Sequence, residues 1–349
     1  MTDAPSSRPL PGSGGWIRPL ATASLVVLLV GWLLAIAGPT LVAGRLASIS
    51  PTAAVRLGIL AILPLVVWGV ALRSILQELG VQVGLFRATA LLVASVFFNN
   101  VTPFGQLGGD PPSAVLIGHV TGSRIETGLA GITSLNVLNR LAGVVLGIVG
   151  LVTLLGPFGP VEGPWVEAAL GLSLSGIIFA ILVWLYANRW VVAAIIGPIV
   201  AGLAVRTARL LPGVTPPEAT HVRARVDAFV ALMERIGSAP RRLFTVLVLG
   251  VIGQALVAVV LWSALGAIGA RVPPALVLVV VPTAKLSGLA PTPGGSGTAV
   301  ALVAALLAAT TGLSLATATT GAILYRVAAF WMPTVIGGVI AVWLALRRG

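Results

Sequence analysis

The chain has 349 residues, 58% hydrophobic and only 9% charged, and its mean hydropathy of +1.08 excludes a soluble globular domain. The apolar runs are of helix-spanning length and lack the short alternating pattern of an outer-membrane barrel, so an all-α polytopic membrane protein is expected. The net charge of +12 rests on twenty Arg and one Lys placed mostly between the apolar runs, which reads as the bias of cytoplasmic loops and not as nucleic-acid binding.

Residues 1–19 hold Pro, Ser, Gly and two Arg and read as a disordered cytoplasmic tail; residues 20–346 read as one transmembrane domain. Spans are expected over 20–42 and 53–76. Arg87 opens the apolar run 88–98, which ends in Phe97-Phe98-Asn99-Asn100-Val101-Thr102-Pro103-Phe104-Gly105-Gln106-Leu107-Gly108-Gly109-Asp110-Pro111-Pro112. Three Pro and three Gly within residues 103–112 remove backbone donors and admit left-handed dihedrals, while Asn99, Asn100, Gln106 and Asp110 are too polar for hydrocarbon. Such backbone survives at membrane depth only where protein or water covers it. The apolar piece that follows, 113–120, is as short as the one before. Neither reaches the roughly 20 residues a span needs, so the two read as a hairpin of half-helices.

The next span, 127–155, carries Asn136, Asn139 and Arg140 on one face by helical spacing. Residues 166–186 span again, and 191–205 are apolar but short, open between a membrane dip and a surface segment. Residues 206–242 form the only sizeable polar segment, with seven Arg against three acids. Within it, 222–236 has amphipathic spacing and reads as a basic interfacial helix on anionic lipid, with a docking site for a soluble partner as the lesser alternative. Residues 243–268 span, with Gln254 near the centre. Residues 274–289 are apolar apart from Lys285, then Ala290-Pro291-Thr292-Pro293-Gly294-Gly295-Ser296-Gly297-Thr298 breaks the run and 299–309 completes a second short pair. A last span, 316–346, carries Arg326 mid-helix. The expectation is about six full spans plus two re-entrant broken hairpins.

The two breaks repeat. Gly108-Gly109 precedes Arg140 by 31 residues and Gly294-Gly295 precedes Arg326 by 31, a common offset of 186. Repeat one is drawn over about 53–155 and repeat two over about 243–346, with Gly108, Gly109, Pro293, Gly294, Gly295 and Gly297 as backbone hinges. If both hairpins leave on the side they enter and the Arg-rich segment is cytoplasmic, both termini are cytoplasmic and the hairpins enter from opposite faces. Inverted repeats with interrupted helices at matching places are the signature of alternating-access transporters with a midplane site.

Asp110, Arg140, Lys285 and Arg326 lie where lipid or packed helix is expected, each costing on the order of 2.5 to 3.5 kcal/mol on insertion scales unless it faces protein, water or a counter-ion. Three positive charges against one negative would be balanced by a phosphate, which Arg holds bidentately. The alternative is that Arg140 and Arg326 hydrogen-bond freed carbonyls of the hairpins. Lys285 either pairs with Asp110 or loses its proton. Asn99, Asn100, Gln106, Asn136, Asn139, Thr292 and Ser296 complete the candidate set, with satisfaction of broken backbone as their competing role. Half-helix N-termini at Pro111 and Gly297 favour an anion at the same place. Two distant His, His119 and His221, and the absence of Cys argue for no metal or cofactor.

Asn99-Asn100-Val101-Thr102-Pro103 through Gly108-Gly109-Asp110, then Asn139-Arg140, then Pro291-Thr292-Pro293-Gly294-Gly295-Ser296-Gly297 and Leu324-Tyr325-Arg326 resemble the transmembrane flippase region of the lysylphosphatidylglycerol synthase family, including relatives without a soluble synthetase domain. The resemblance covers roughly residues 53–338 and implies two inverted hairpins around a lipid cavity. It departs from the family where Asn139 and Val300 stand in place of acidic residues, and Asp110 in place of Glu. The missing carboxylates speak against a cationic, lysyl-type headgroup. The function expected is therefore a flippase in the cell membrane moving an anionic phospholipid or a polyprenyl-phosphate glycolipid. A small-anion transporter or channel is the alternative. A lipid-modifying transferase is third, since no nucleophile and base pair or nucleotide-binding loop is found. A homo-oligomer is left open.

Overall fold

The computed structural model describes residues 49–102, 105–155, 218–289 and 296–346, with isolated positions between 173 and 202. The expected tail 1–19, the span 20–42, most of the span 166–186 and of 191–205, and Thr292, Pro293, Gly294 and Gly295 lie outside the described residues. Ser296 and Gly297 are described in their backbone alone. Every regular element among the described residues is helical: α1 (Pro51–Glu78), α2 (Leu85–Val101), α3 (Gln106–Thr121), α4 (Ile125–Leu155), α5 (Ala219–Gly237), α6 (Pro240–Ala267), α7 (Pro274–Ala284), a 3-10 turn (Lys285–Leu289), α8 (Ser296–Thr311), α9 (Leu315–Arg326), a π-helical turn (Val327–Trp331) and α10 (Met332–Leu346). The chain is thus a polytopic all-α membrane protein. Helices α1, α4, α6 and the composite Leu315–Leu346 are long and apolar enough to cross a bilayer.

Local chemistry sets the ends. Ser50 caps α1 by accepting from the Ala53 N–H at 3.3 Å, with Pro51 at the first helical position, where its missing donor costs nothing. Ser314 caps α9 in the same way. Gly122 ends α3 at φ 69°, a conformation that disfavours a side chain.

The first break is narrower than the sequence suggests. Asn99 and Asn100 lie in the last turn of α2, and Gly108, Gly109 and Asp110 lie inside α3, so among the described residues of this stretch only Thr102 and Gly105 are outside helix. Pro111 and Pro112 stand inside α3, beyond its first turn, and remove two intrahelical donors without ending the helix. Gly108 and Gly109 therefore lie within a helix and not in the break itself, and the positive end of this half-helix is at Gln106, not at Pro111. A Cβ on Gly109 would lie 2.5 Å from the Asn99 Cα and 2.5 Å from its backbone N. The glycine is there so that α2 and α3 can touch backbone to backbone.

One end of the bundle collects charge. Arg242, at the start of α6, places Nε 3.5 Å from Glu78 Oε2 at the end of α1 and donates from Nη1 to Ser74 Oγ at 3.2 Å. Gly131 near the start of α4 faces Leu76 and Leu79, and Glu126 pairs with Arg225 of α5 at 3.4 Å. Arg73 donates to the Val83 carbonyl at 3.1 Å, closing the turn from α1 into α2. The α2–α3 hairpin starts and finishes at this end. Helix α7 runs the other way, antiparallel to α4: Gly150 faces Ala275 and Leu278, whereas Gly143 faces Pro282. The second hairpin therefore starts from the far end.

Two apolar cores follow from this arrangement. One joins Leu72, Ile75, Leu91, Phe97, Ile117 and Leu135 around the first hairpin. The other joins Leu261, Leu265, Leu276, Val280, Leu307 and Leu324 around the second. Trp68 of α1 packs against both.

Helix α5 corrects one expectation. Its apolar stripe does not lie on lipid: Val230 and Ile236 are buried, and Phe229, Leu232 and Met233 pack on the first core. The Ser134 hydroxyl reaches Met233 Sδ at 3.3 Å. A stripe with protein to cover it gains the same burial without an interface. The basic face, with Arg223, Arg225 and Arg235, remains exposed.

Candidate functional site

Between the two cores lies a cavity of about 280 Å³. Eight sequence-derived candidates line it: Asn99 and Asn100 from α2, Gln106 from α3, Asn136, Asn139 and Arg140 from α4, Lys285 from the turn after α7, and Arg326 at the end of α9. Each sits at or near a helix interruption or on the single polar stripe of α4, which is why residues so distant in sequence converge. The remaining wall is mostly apolar, with Leu92, Val96, Val144, Val281, Ala299, Val303 and Ala322.

A neutral group contacts each of the three cations. Arg140 donates from Nε to Gln106 Oε1 at 2.9 Å, and no described residue takes its two Nη groups. Lys285 donates from Nζ to Gln254 Oε1 and stands 5.6 Å from the centroid of the Trp68 ring. Gln254 is fixed in turn by donating from Nε2 to the Asn139 carbonyl at 3.1 Å, which settles which end of the amide faces Lys285. Arg326 lays its guanidinium 3.6 Å from the centroid of Phe330, a stacked cation–π contact.

Asp110 is absent from the lining. It is buried behind it, accepting from Thr133 Oγ1 at 3.1 Å and from Asn136 Nδ2 at 2.7 Å. Asn136 therefore seconds Asp110 and not Arg140, and the pairing of Lys285 with Asp110 is replaced by Lys285 with Gln254. The physical reason is reach: α3 and α4 pack directly against each other, so Thr133 and Asn136 meet Asp110 before any cation can. With both carboxylate oxygens taken by neutral donors, Asp110 ties α3 to α4 and orients Asn136 at the cavity.

Asn100 also has a structural bond. Its Nδ2 donates to Thr334 Oγ1 at 2.7 Å, and that hydroxyl donates to the Phe330 carbonyl at 2.6 Å, pinning α2 to the π-helical turn. A π turn leaves carbonyls out of ordinary register, and such turns recur at functional sites. Thr334 is wholly buried. Thr334→Val, which keeps the shape and leaves Asn100 without its acceptor, is expected to lower stability by about 1–3 kcal/mol, read as a fall in the midpoint of thermal unfolding in detergent.

Among the described residues, three buried polar atoms have no partner: Asn99 Oδ1, Asn139 Oδ1 and Trp68 Nε1. Each faces a glycine on another helix, respectively Gly109, Gly250 and Gly253.

Sequence reading passed over Trp68, Gln254, Tyr325 and Phe330, all of which line the cavity. Gln254 was the legible one, a carboxamide alone in a long apolar run. Tyr325 and Phe330 flank or follow Arg326 but are indistinguishable in sequence from packing residues, and Trp68 carries no signal at all. The structure leaves Thr292, Pro293, Gly294 and Gly295 undescribed, and the side chain of Ser296 with them.

The family model described as the lysylphosphatidylglycerol synthase TM region matches residues 19–337. No curated protein matches the chain.

Proposed function

This chain belongs to the family of the lysylphosphatidylglycerol synthase transmembrane region, and from that premise we propose that it is a lipid translocator. It moves the headgroup of an anionic phospholipid or a polyprenyl-phosphate glycolipid between leaflets of the cell membrane, by transport and not by group transfer. The observation that carries the reading is the makeup of one cavity: Arg140, Lys285 and Arg326 reach it, no carboxylate lines it among the described residues, and the rest of its wall is largely apolar. A phosphate ester attached to acyl or prenyl chains matches that surface, its charge on the Arg forks and its chain on the Val, Leu and Ala wall.

Arg73, Arg124, Arg225 and Arg242 cluster toward one end of the bundle, which supports placing that end in the cytoplasm, and both termini with it. The hairpins then enter from opposite faces, and the site between them is opened to each leaflet in turn. The cavity's modest size also suits a free anion, which is the second reading.

The test is reconstitution. Proteoliposomes carrying acyl-labelled phosphatidylglycerol are treated with a membrane-impermeant quencher, and in parallel loaded with inorganic phosphate and chloride. Translocation above that of empty liposomes, without anion flux, is expected. Flux of the free anions with no lipid movement would replace this reading with the second.

A further inference from the structure

The cavity contains its own amine. A tryptophan face beside an amide carbonyl is the chemistry that receives an alkylammonium headgroup. Here that place is taken by a side chain of the protein, Lys285, whose Nζ donates to Gln254 Oε1 and lies 5.6 Å from the Trp68 centroid. Gln254 has no freedom to turn away, because its Nε2 is committed to the Asn139 carbonyl. Arg140 and Arg326 line the same cavity, and the nearby carboxylate, Asp110, is withdrawn behind Asn136.

We infer that Lys285 is a specificity-determining residue, a tethered cation that fills the ammonium subsite and restricts the cargo to lipids bearing phosphate without an amine. This deepens the transport reading and rests on it. An ethanolamine or aminoacyl headgroup must displace Lys285 from Trp68 and Gln254 and then stand among like charges, with no carboxylate among the described residues that line the cavity and with Asp110 engaged behind Asn136. Phosphatidylglycerol meets none of these costs, and its phosphate gains the Nη groups of Arg140. Exclusion of the competitor by a built-in repulsive element is how a site of modest affinity becomes selective.

Lys285→Met removes the charge while keeping length and an apolar stem, vacating both the Trp68 face and the Gln254 oxygen. Lys285→Arg keeps a cation there. Translocation of acyl-labelled phosphatidylglycerol and phosphatidylethanolamine is compared in the same proteoliposomes, with thermal unfolding recorded for each variant. The wild type is expected to move phosphatidylglycerol at least about tenfold faster, Lys285→Arg to keep that preference, and Lys285→Met to lose about tenfold of it by a rise in the phosphatidylethanolamine rate. Should Lys285→Met fail to fold, Lys285→Gln, which still offers Gln254 a donor, makes the same comparison. Equal rates for the two lipids in the wild type, or an unchanged preference in a folded neutral variant, overturn the selectivity and leave transport standing. Movement of neither lipid overturns transport itself and this inference with it.

Discussion

Arg140→Gln is expected to reduce lipid translocation by about a hundredfold or more while leaving the protein as stable as before. The two halves of this expectation have separate causes. Losing a charge-assisted fork to a buried phosphate costs about 2–5 kcal/mol, which at about 1.4 kcal/mol per decade is roughly one and a half to three and a half orders of magnitude, with the middle of the range beyond a hundredfold. Stability behaves differently because the one hydrogen bond of Arg140 is to a neutral group, Gln106. Removing a buried charge that makes no contact ion pair among the described residues relieves desolvation, which offsets the loss of its longer-range attraction to Asp110, and the Gln106 oxygen can accept from the new amide. Arg140→Lys keeps the charge but not the planar fork, and an intermediate loss of about tenfold is expected. Arg326→Ala is expected to abolish translocation too, with a modest loss of packing on Phe330. Initial rates in proteoliposomes and unfolding midpoints in detergent give both readouts. A variant that unfolds early yet retains its rate would make Arg140 a structural residue.

The second large effect concerns backbone. Gly109→Ala puts a methyl group 2.5 Å from the Cα and backbone N of Asn99 and 2.1 Å from its Oδ1. A flexible side chain could move aside, but two helix backbones cannot without separating α2 from α3. Overpacking of this kind costs typically about 1–3 kcal/mol, with backbone clashes at the upper end. Because Asn99, Asn100 and Gln106 flank that contact, the cavity wall is displaced with it. The expected result is loss of most folded protein on size exclusion, with no translocation from what remains. Gly266→Ala in α6 is the matched control: a Cβ there meets nothing within 4 Å and the backbone is not left-handed. It should be neutral, or stabilising by under about 1 kcal/mol.

These two residues mark the limits of what sequence discloses. Arg140 is legible because an ionised side chain within an apolar span must have a reason. Gly109 is legible as unusual, but its role is misread: the pattern of Gly and Pro suggests a hinge, whereas the need is for close approach across a hairpin whose packing no local pattern encodes. Partner choice is hidden for the same reason. Helical spacing puts Asn136 on the face of Arg140, but which neighbour it bonds depends on the lateral position of α3, and Asp110 stands nearer.

The repeat is a subtler case. Aligning glycines and arginines gives an offset of 186 residues, yet the helices starting at Pro51, Leu85, Gln106 and Ile125 recur at Pro240, Pro274, Ser296 and Leu315, offsets of 189, 189, 190 and 190. The difference is about one helical turn. A slip of one turn preserves the face, so the two arginines still look into the same cavity from different heights. Counted from helix starts, Arg326 corresponds to Asn136 and Arg140 to Phe330, the ring on which Arg326 lies.

The three glycine contacts around the cavity bear on how readily it can change shape. At Asn99 with Gly109, Asn139 with Gly250 and Trp68 with Gly253, the side-chain polar atom has no hydrogen bond to break among the described residues, so these atoms add only dispersion against parting, beside the bond of Gln254 to the Asn139 carbonyl. Each unsatisfied group is worth about 1–3 kcal/mol on reaching a partner. Water that follows a separating helix supplies that partner, so wetting offsets part of the work of opening.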